Sequence, residues 1–278
     1  MNSVIIRYDE IGLKGHNRPY FEKLLAVNIK ECLRKQGIAF ERVQRFRGRM
    51  ILITDEADKA ILPLQKVFGI ASLSPAVRIG HDFEQLKAEA LRLAVPGKSF
   101  RITTKRLSKK FPMDSNQISQ ELGGYVQEQT GAKVELVKPD ITIGVDVLED
   151  SIFIFSQSVQ GARGLPVGCE GKVLGIITED RNSMVACWLM LKRGCKLVLV
   201  SDKSQDLGRL PEWSIGQDLK LYQRNEPHAD AKELMEKEGC LAMFDGIKSL
   251  AENTSSPHIF RPLEGFTEQE ITDICKRI

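Results

Sequence analysis

The stretch GARGLPVG, residues 161–168, divides the chain into two patterns. Three glycines and a proline in eight residues suit neither helix nor strand, so the segment reads as a linker. Downstream of it, VLGII (173–177) and KLVLV (196–200) are apolar, β-rich runs on either side of a helix expected over 182–193. That β-α-β order belongs to a doubly wound, mainly parallel sheet. A helix over 230–238, a strand over 241–244 and a last helix over 267–277 are expected to complete the segment. Residues 201–230 are polar and poorly patterned.

Upstream, SVIIRY (3–8) reads as a first strand. Tyr20, Phe21, Leu24, Leu25, Asn28, Ile29, Cys32 and Leu33 recur at helical spacing, with one polar member. Asn17 is the expected cap of that helix, and Gly37 its end. Strands near 39–45 and 49–54 meet in a turn at Arg47-Gly48, and a helix over 57–68 and a strand over 70–79 follow. The resulting β-α-β-β-α-β order is that of a ferredoxin-like unit. A new unit starts near His81: a helix begun by Asp82 and Gln85, a strand over 99–104, a helix capped by Asp114 or Ser115, then strands near 133–137, 141–147 and 151–158.

The 278 residues, 42% of them hydrophobic, suffice for more than one buried core. No apolar run reaches the roughly 18 residues a membrane span needs. The first residues lack the basic and apolar regions of a signal peptide, so no membrane and a cytoplasmic location are expected. Six cysteines form no C-x-x-C pair and none neighbours a histidine at zinc spacing, so they read as reduced thiols and no metal site is expected. The net charge of +3 is unevenly spread. Residues 1–165 carry 25 Lys/Arg against 19 Asp/Glu, net +6, whereas 166–278 carry 15 against 18, net −3. Such asymmetry points to a polyanionic partner for the first part.

The charge is densest at residues 98–110, where Lys98, Arg101, Lys105, Arg106, Lys109 and Lys110 occur with no acidic residue among them. Cations so grouped bind a nucleic-acid backbone through counterion release. Phe111 beside them is placed to stack on a base. The alternative is a solvated cationic surface with Phe111 as a core anchor. A second basic group, Arg42, Arg45, Arg47 and Arg49, lies on the 39–54 hairpin.

Three stretches resemble one known family. RYDEIGLKG (7–15), continuing to Asn17-Arg18, is similar to the opening motif of the tRNA 4-thiouridine synthetases, tRNA sulfurtransferases also linked to thiamine biosynthesis. That family usually has glycine where this chain has Asp9. Residues 106–115 resemble its basic-Phe-Pro loop, and 161–168 followed by Gly171-Lys172 its GG-LPVG-GK junction. The resemblance implies an α+β N-terminal half, made of a ferredoxin-like domain (1–79) and a THUMP RNA-binding domain (80–165). An α/β PP-loop-like domain (166–278) follows, with a mainly parallel sheet. It implies tRNA as partner, met at its acceptor end, and a homodimer. The RNA-contact residues expected on this basis are Arg101, Lys105, Arg106, Lys109, Lys110, Phe111, Lys14 and Arg163.

One stretch departs from that family. Active members carry an SGG-x-DS turn whose glycines admit ATP phosphates to a helix N-terminus. This chain has Thr178-Glu179-Asp180-Arg181-Asn182-Ser183 there. One like-charge contact at about 4 Å costs roughly 4 kcal/mol at an effective dielectric near 20. Two such contacts exceed the helix-terminus benefit of about 0.3–2 kcal/mol. Read structurally, Glu179-Asp180 is an ordinary acidic helix cap. The family's persulfide-carrying cysteine also has no counterpart in 196–239. The expected function is therefore a tRNA-binding protein without adenylation or sulfur transfer of its own, needing no cofactor and serving a separate modification enzyme. The alternatives are an active sulfurtransferase using ATP and Mg²⁺, or a protein-interaction module without an RNA role.

Overall fold

A computed structural model describes all residues except 1, 47, 109–110 and 249–258. In chain order its first elements are β1 (Ser3–Arg7), α1 (Arg18–Lys35), β2 (Arg42–Phe46), β3 (Arg49–Ile53), α2 (Ala57–Leu64) and β4 (Ser72–Ile79). There follow α3 (Phe83–Leu93), β5 (Phe100–Arg106), α4 (Ser115–Thr130), β6 (Ile141–Val147), β7 (Ile152–Phe155) and β8 (Val159–Gln160). The remainder is β9 (Lys172–Ile176), α5 (Arg181–Lys192), β10 (Lys196–Ser201), α6 (Leu210–Trp213), β11 (Lys220–Gln223), α7 (Pro227–Glu238), β12 (Ala242–Asp245), β13 (Ile259–Phe260) and α8 (Glu268–Cys275). No helix among the described residues is long and apolar enough to cross a membrane.

Two compact units result. The first gathers Met1–Arg7, Gly37–Leu62 and Ser72–Gln160; the second Tyr8–Gln36, Pro63–Ala71 and Gly161–Ile278. The expected 1–79 domain is thus shared: its strands belong to the first unit and α1 to the second.

The first unit is one sheet of order β2-β3-β1-β4-β7-β6-β5, with β8 also on β4. The eight residues of β4 hold it together. Ser72–Ala76 pair with β1, and Val77–Ile79 pair with β7. Helices α3 and α4 cover one face, burying Leu86, Ala90, Ile118, Leu122 and Val126 against Phe100, Ile143, Val145, Ile152 and Ile154. Their starts follow from local chemistry: Asp82 caps α3, and Asp114 with Gln117 forms a reciprocal capping box on α4.

The other face carries a small apolar cluster (Ile5, Ile51, Ile53, Ala76, Leu148 and Phe153) and a buried ion group. Arg7 and Arg49 are direct cross-strand partners, an arrangement that is unfavourable for like charges. Asp146, 1% exposed, resolves it by hydrogen bonding Arg49 and lying 3.8 Å from Arg7. Three strands separate β3 from β6 in the sheet order, about 19 Å if the sheet were flat. The pair closes because the sheet is curled. The Arg7 guanidinium also stacks over the Phe155 ring at 4.8 Å. That ring in turn lies 2.3 Å from where a Cβ on Gly144 would be, so a side chain there would have to displace it.

The second unit is an all-parallel sheet of order β11-β10-β9-β12-β13. On one face Trp188 of α5 meets Phe68 and Trp213 edge-on, with ring centroids 5.3 and 5.6 Å away. On the other, Ala231 and Leu234 of α7 cover Leu174, Ile176, Val198 and Val200. Asn28, the polar member of the α1 stripe, is buried and donates to the Val167 carbonyl at 3.1 Å.

The expected α+β and parallel α/β classes hold, with local corrections. Residues 133–137 are not a strand: Val134 makes a single bridge to Phe100, and the Glu135 carboxylate then accepts from Val137 N and turns the chain. The unpatterned 201–230 holds α6 and β11, four residues each and too short to show a period. Helix α2 stops at Leu64, leaving Phe68 free for the core of the second unit. Asn17 makes no side-chain cap; two 3-10 turns, Glu10–Leu13 and Gly15–Asn17, lead the chain into α1 instead.

Candidate nucleic-acid interface and phosphate turn

Period-two alternation places Phe100, Ile102 and Thr104 of β5 under α4, and Arg101, Thr103 and Lys105 on the helix-free face. Arg101 is braced: its Nε donates to Thr142 Oγ1 at 3.1 Å and its Nη1 to the Leu136 carbonyl at 3.2 Å. Lys105 is exposed and, with Arg7, Thr103, Thr142 and Ser158, lines an open cavity of about 270 Å³. Half-buried Arg106 donates from Nε to the Ser108 carbonyl at 2.9 Å. Lys109 and Lys110 lie outside the described residues.

Phe111 is corrected. It is 3% exposed, packs in the α3/α4 core and meets the His81 ring edge-on at 5.5 Å. It anchors the loop and presents no face to a base. The pairing of Arg7 with Arg49 is not legible from composition or spacing. Their signal is the register that puts two arginines opposite one another, which demands a carboxylate nearby.

Two expected contacts lie in the second unit. Lys14 sits over the Phe21 ring at 4.7 Å and 3.7 Å from Glu170. Arg163 donates from Nη1 to Asp9 Oδ2 at 3.1 Å.

The turn at 178–183 stands at the C-terminal end of β9 and the start of α5, where open parallel sheets bind ligands. Three of its six backbone donors are consumed by its own residues. Asp180 caps α5, its Oδ1 accepting from Asn182 N at 3.1 Å. Ser183 N donates to the Asp180 carbonyl at 3.0 Å, and Thr178 N to Ser183 Oγ at 3.1 Å. Gly246 closes over the same helix start: a Cβ there would lie 2.7 Å from Ser183 N. Glu179 is paired with Lys203 at 2.6 Å, and Arg181 with Glu268 at 2.8 Å. A cavity of about 290 Å³ remains beside the turn, its lining including Thr178, Asp180, Asn182, His228, Asp245 and Lys248. Of the two carboxylates expected to confront a phosphate, Asp180 lines this cavity and Glu179 is turned to Lys203.

Five of the six thiols are shifted upward. Burial, aided by acidic neighbours, pushes Cys32 and Cys169 up to about 12 and Cys195 to about 11. Burial also raises Cys187 and Cys240. A nucleophilic or sulfur-carrying cysteine needs the opposite shift.

The fold and these sites define a THUMP-bearing chain joined to a parallel α/β unit. Residues 3–74 match the ThiI ferredoxin-like domain and residues 80–157 the THUMP domain. The chain is 32% identical to the probable tRNA sulfurtransferase of Thermococcus kodakarensis, over all of this chain and 87% of that protein. It is 30% identical to that of Alkaliphilus metalliredigens, over 100% and 84%. The first alignment runs over 333 positions against a chain of 278 residues, so that relative carries segments without counterpart here. Among solved structures, PH1313 from Pyrococcus horikoshii aligns with a TM-score of 0.88 at 29% identity, covering 100% of this chain and 99% of that one. A 4-thiouridine synthetase, solved as an RNA complex with bound ATP, aligns with a TM-score of 0.84 at 27% identity, covering 100% and 84%. The chain belongs to the tRNA sulfurtransferase family.

Proposed function

We propose that this protein binds tRNA, at its acceptor end, and does not itself run the ATP-dependent thiolation of its family. The carrying observation is the turn at 178–183, whose Thr178, Asn182 and Ser183 amides are already bonded within the turn. A phosphate site at a helix N-terminus works through free N–H groups and an unopposed dipole. Here three of the six backbone donors of residues 178–183 are occupied, Gly246 covers the helix start, and Asp180 adds negative charge to the cavity. ATP with Mg²⁺ does not fit these residues in the manner of an SGG-x-DS turn. The upward-shifted thiols argue in the same direction for sulfur transfer.

The RNA reading draws on the THUMP match, on kinship with a synthetase solved with RNA, and on the helix-free face bearing Arg101 and Lys105. Replacing Lys105, Arg106, Lys109 and Lys110 together by alanine is expected to weaken tRNA binding. In a salt titration the log–log slope should flatten by about 0.7–0.9 for each phosphate that the variant no longer neutralises. Absence of wild-type binding at low salt, or an unchanged slope in the variant, would contradict the reading. A second reading, an active sulfurtransferase with an altered turn, draws on the cavity that persists beside that turn. It requires 4-thiouridine in tRNA incubated with the purified protein, ATP and a sulfur donor.

A further inference from the structure

The start of the second unit contains a cationic cluster with its own anion built in. Arg163 is the non-glycine residue with positive φ among the described residues, at 60°. That conformation is uncommon for a residue with a side chain, so a structural demand must hold it. Two backbone bonds do so: Arg163 N donates to the Ile70 carbonyl at 2.8 Å, and Gly69 N to the Arg163 carbonyl at 2.9 Å. Next to it the linker runs against the end of α5. Leu165 N donates to the Lys192 carbonyl at 2.9 Å, and a Cβ on Gly164 would stand 2.3 Å from that oxygen. This packing sets Arg163 near Lys192, and Arg277 is a further cation acting on the Lys192 ammonium. Their mutual repulsion is felt at Lys192, whose ammonium is pulled below its usual range first by burial, then by Arg277 and Arg163. Glu10 and Asp9 oppose that shift.

Asp9 is the anion of this cluster. Its two carboxylate oxygens do different work. Oδ1 accepts from Glu10 N at 2.8 Å and starts the 3-10 turn, while Oδ2 takes the Arg163 guanidinium. Both side chains remain partly exposed, so the pair adds little to stability. Its consequence is electrostatic: a phosphodiester approaching Arg163 meets a carboxylate already seated there.

We propose that Asp9 is an intramolecular counter-ion that limits the affinity of the Arg163–Lys192–Arg277 cluster for an RNA backbone. The proposal rests on the tRNA-binding reading above. Asp9→Asn tests it, because the amide oxygen keeps the cap to Glu10 N and removes the charge. Bulk tRNA is titrated with the full chain across a salt series, and thermal melts check that each variant is folded. The variant should bind several-fold more tightly at low salt, with a log–log slope steeper by about 0.7–0.9, the increment for one more neutralised phosphate. Adding Arg163→Ala to the same chain should abolish both gains. An Asp9→Asn protein that binds as the wild type does overturns the inference, as does a gain that survives loss of Arg163. In either case the tRNA reading stands if the four-cation variant at 105–110 still weakens binding. Where that variant also binds unchanged, both ideas fail together.

Discussion

Asp146→Asn is expected to destabilise the protein by about 3–5 kcal/mol, the usual result of removing one partner from a buried ion group. Asp146 is 1% exposed and is the counter-ion to Arg49, itself 7% exposed, and to Arg7. Asparagine preserves shape and can accept one hydrogen bond, but it leaves two guanidinium charges facing each other across β1 and β3. Arg49 Nε already lacks a hydrogen-bond partner, so little spare solvation is at hand. The curled sheet is what brings β3 to β6, and this ion group is its polar clasp. Both tryptophans, Trp188 and Trp213, lie in the second unit, so the loss should be followed by far-UV circular dichroism in urea. A midpoint within error of the wild type would mean that the curl is held by the apolar cluster around Ile51 and Phe153 alone.

Trp188→Ala is expected to cost a similar amount, about 3–5 kcal/mol, through cavity formation in the second unit. Trp188 is 2% exposed and is flanked by Phe68 and Trp213, with the Lys192 ammonium over its ring at 5.1 Å. The indole N–H is buried without a partner. Trp188→Phe should therefore cost much less than alanine, since it keeps most of the ring volume and removes an unsatisfied donor. Trp213 fluorescence against denaturant reads both variants. Equal losses for alanine and phenylalanine would place the energy in the N–H, contrary to the packing of the three rings.

Much of this architecture is legible in the chain because its signals are local. Helical spacing in 20–33, the cap at Asp114 and the glycine at the end of α1 each act within a few residues. The acidic pair at 179–180, read as a helix cap, does cap α5 through Asp180. The features that escaped are those created by tertiary approach. Arg49 reads as one more hairpin cation until the register sets it against Arg7 and the curl brings it Asp146, ninety-seven residues away. Phe111 beside a basic loop has the composition of a base-stacking residue, and only the α3/α4 core claims its ring. Elements of two to four residues, such as β13, α6 and β11, carry no period and are fixed by the neighbours they pair with.

The central claim is that RNA recognition persists while the phosphate turn no longer accepts a nucleotide. Calorimetric titration of one preparation, first with Mg-ATP and then with tRNA at low salt, tests it most directly. The account predicts salt-dependent, saturable tRNA binding and no saturable ATP binding. Saturable Mg-ATP binding, or 4-thiouridine formed in the bound tRNA once a sulfur donor is added, would contradict it.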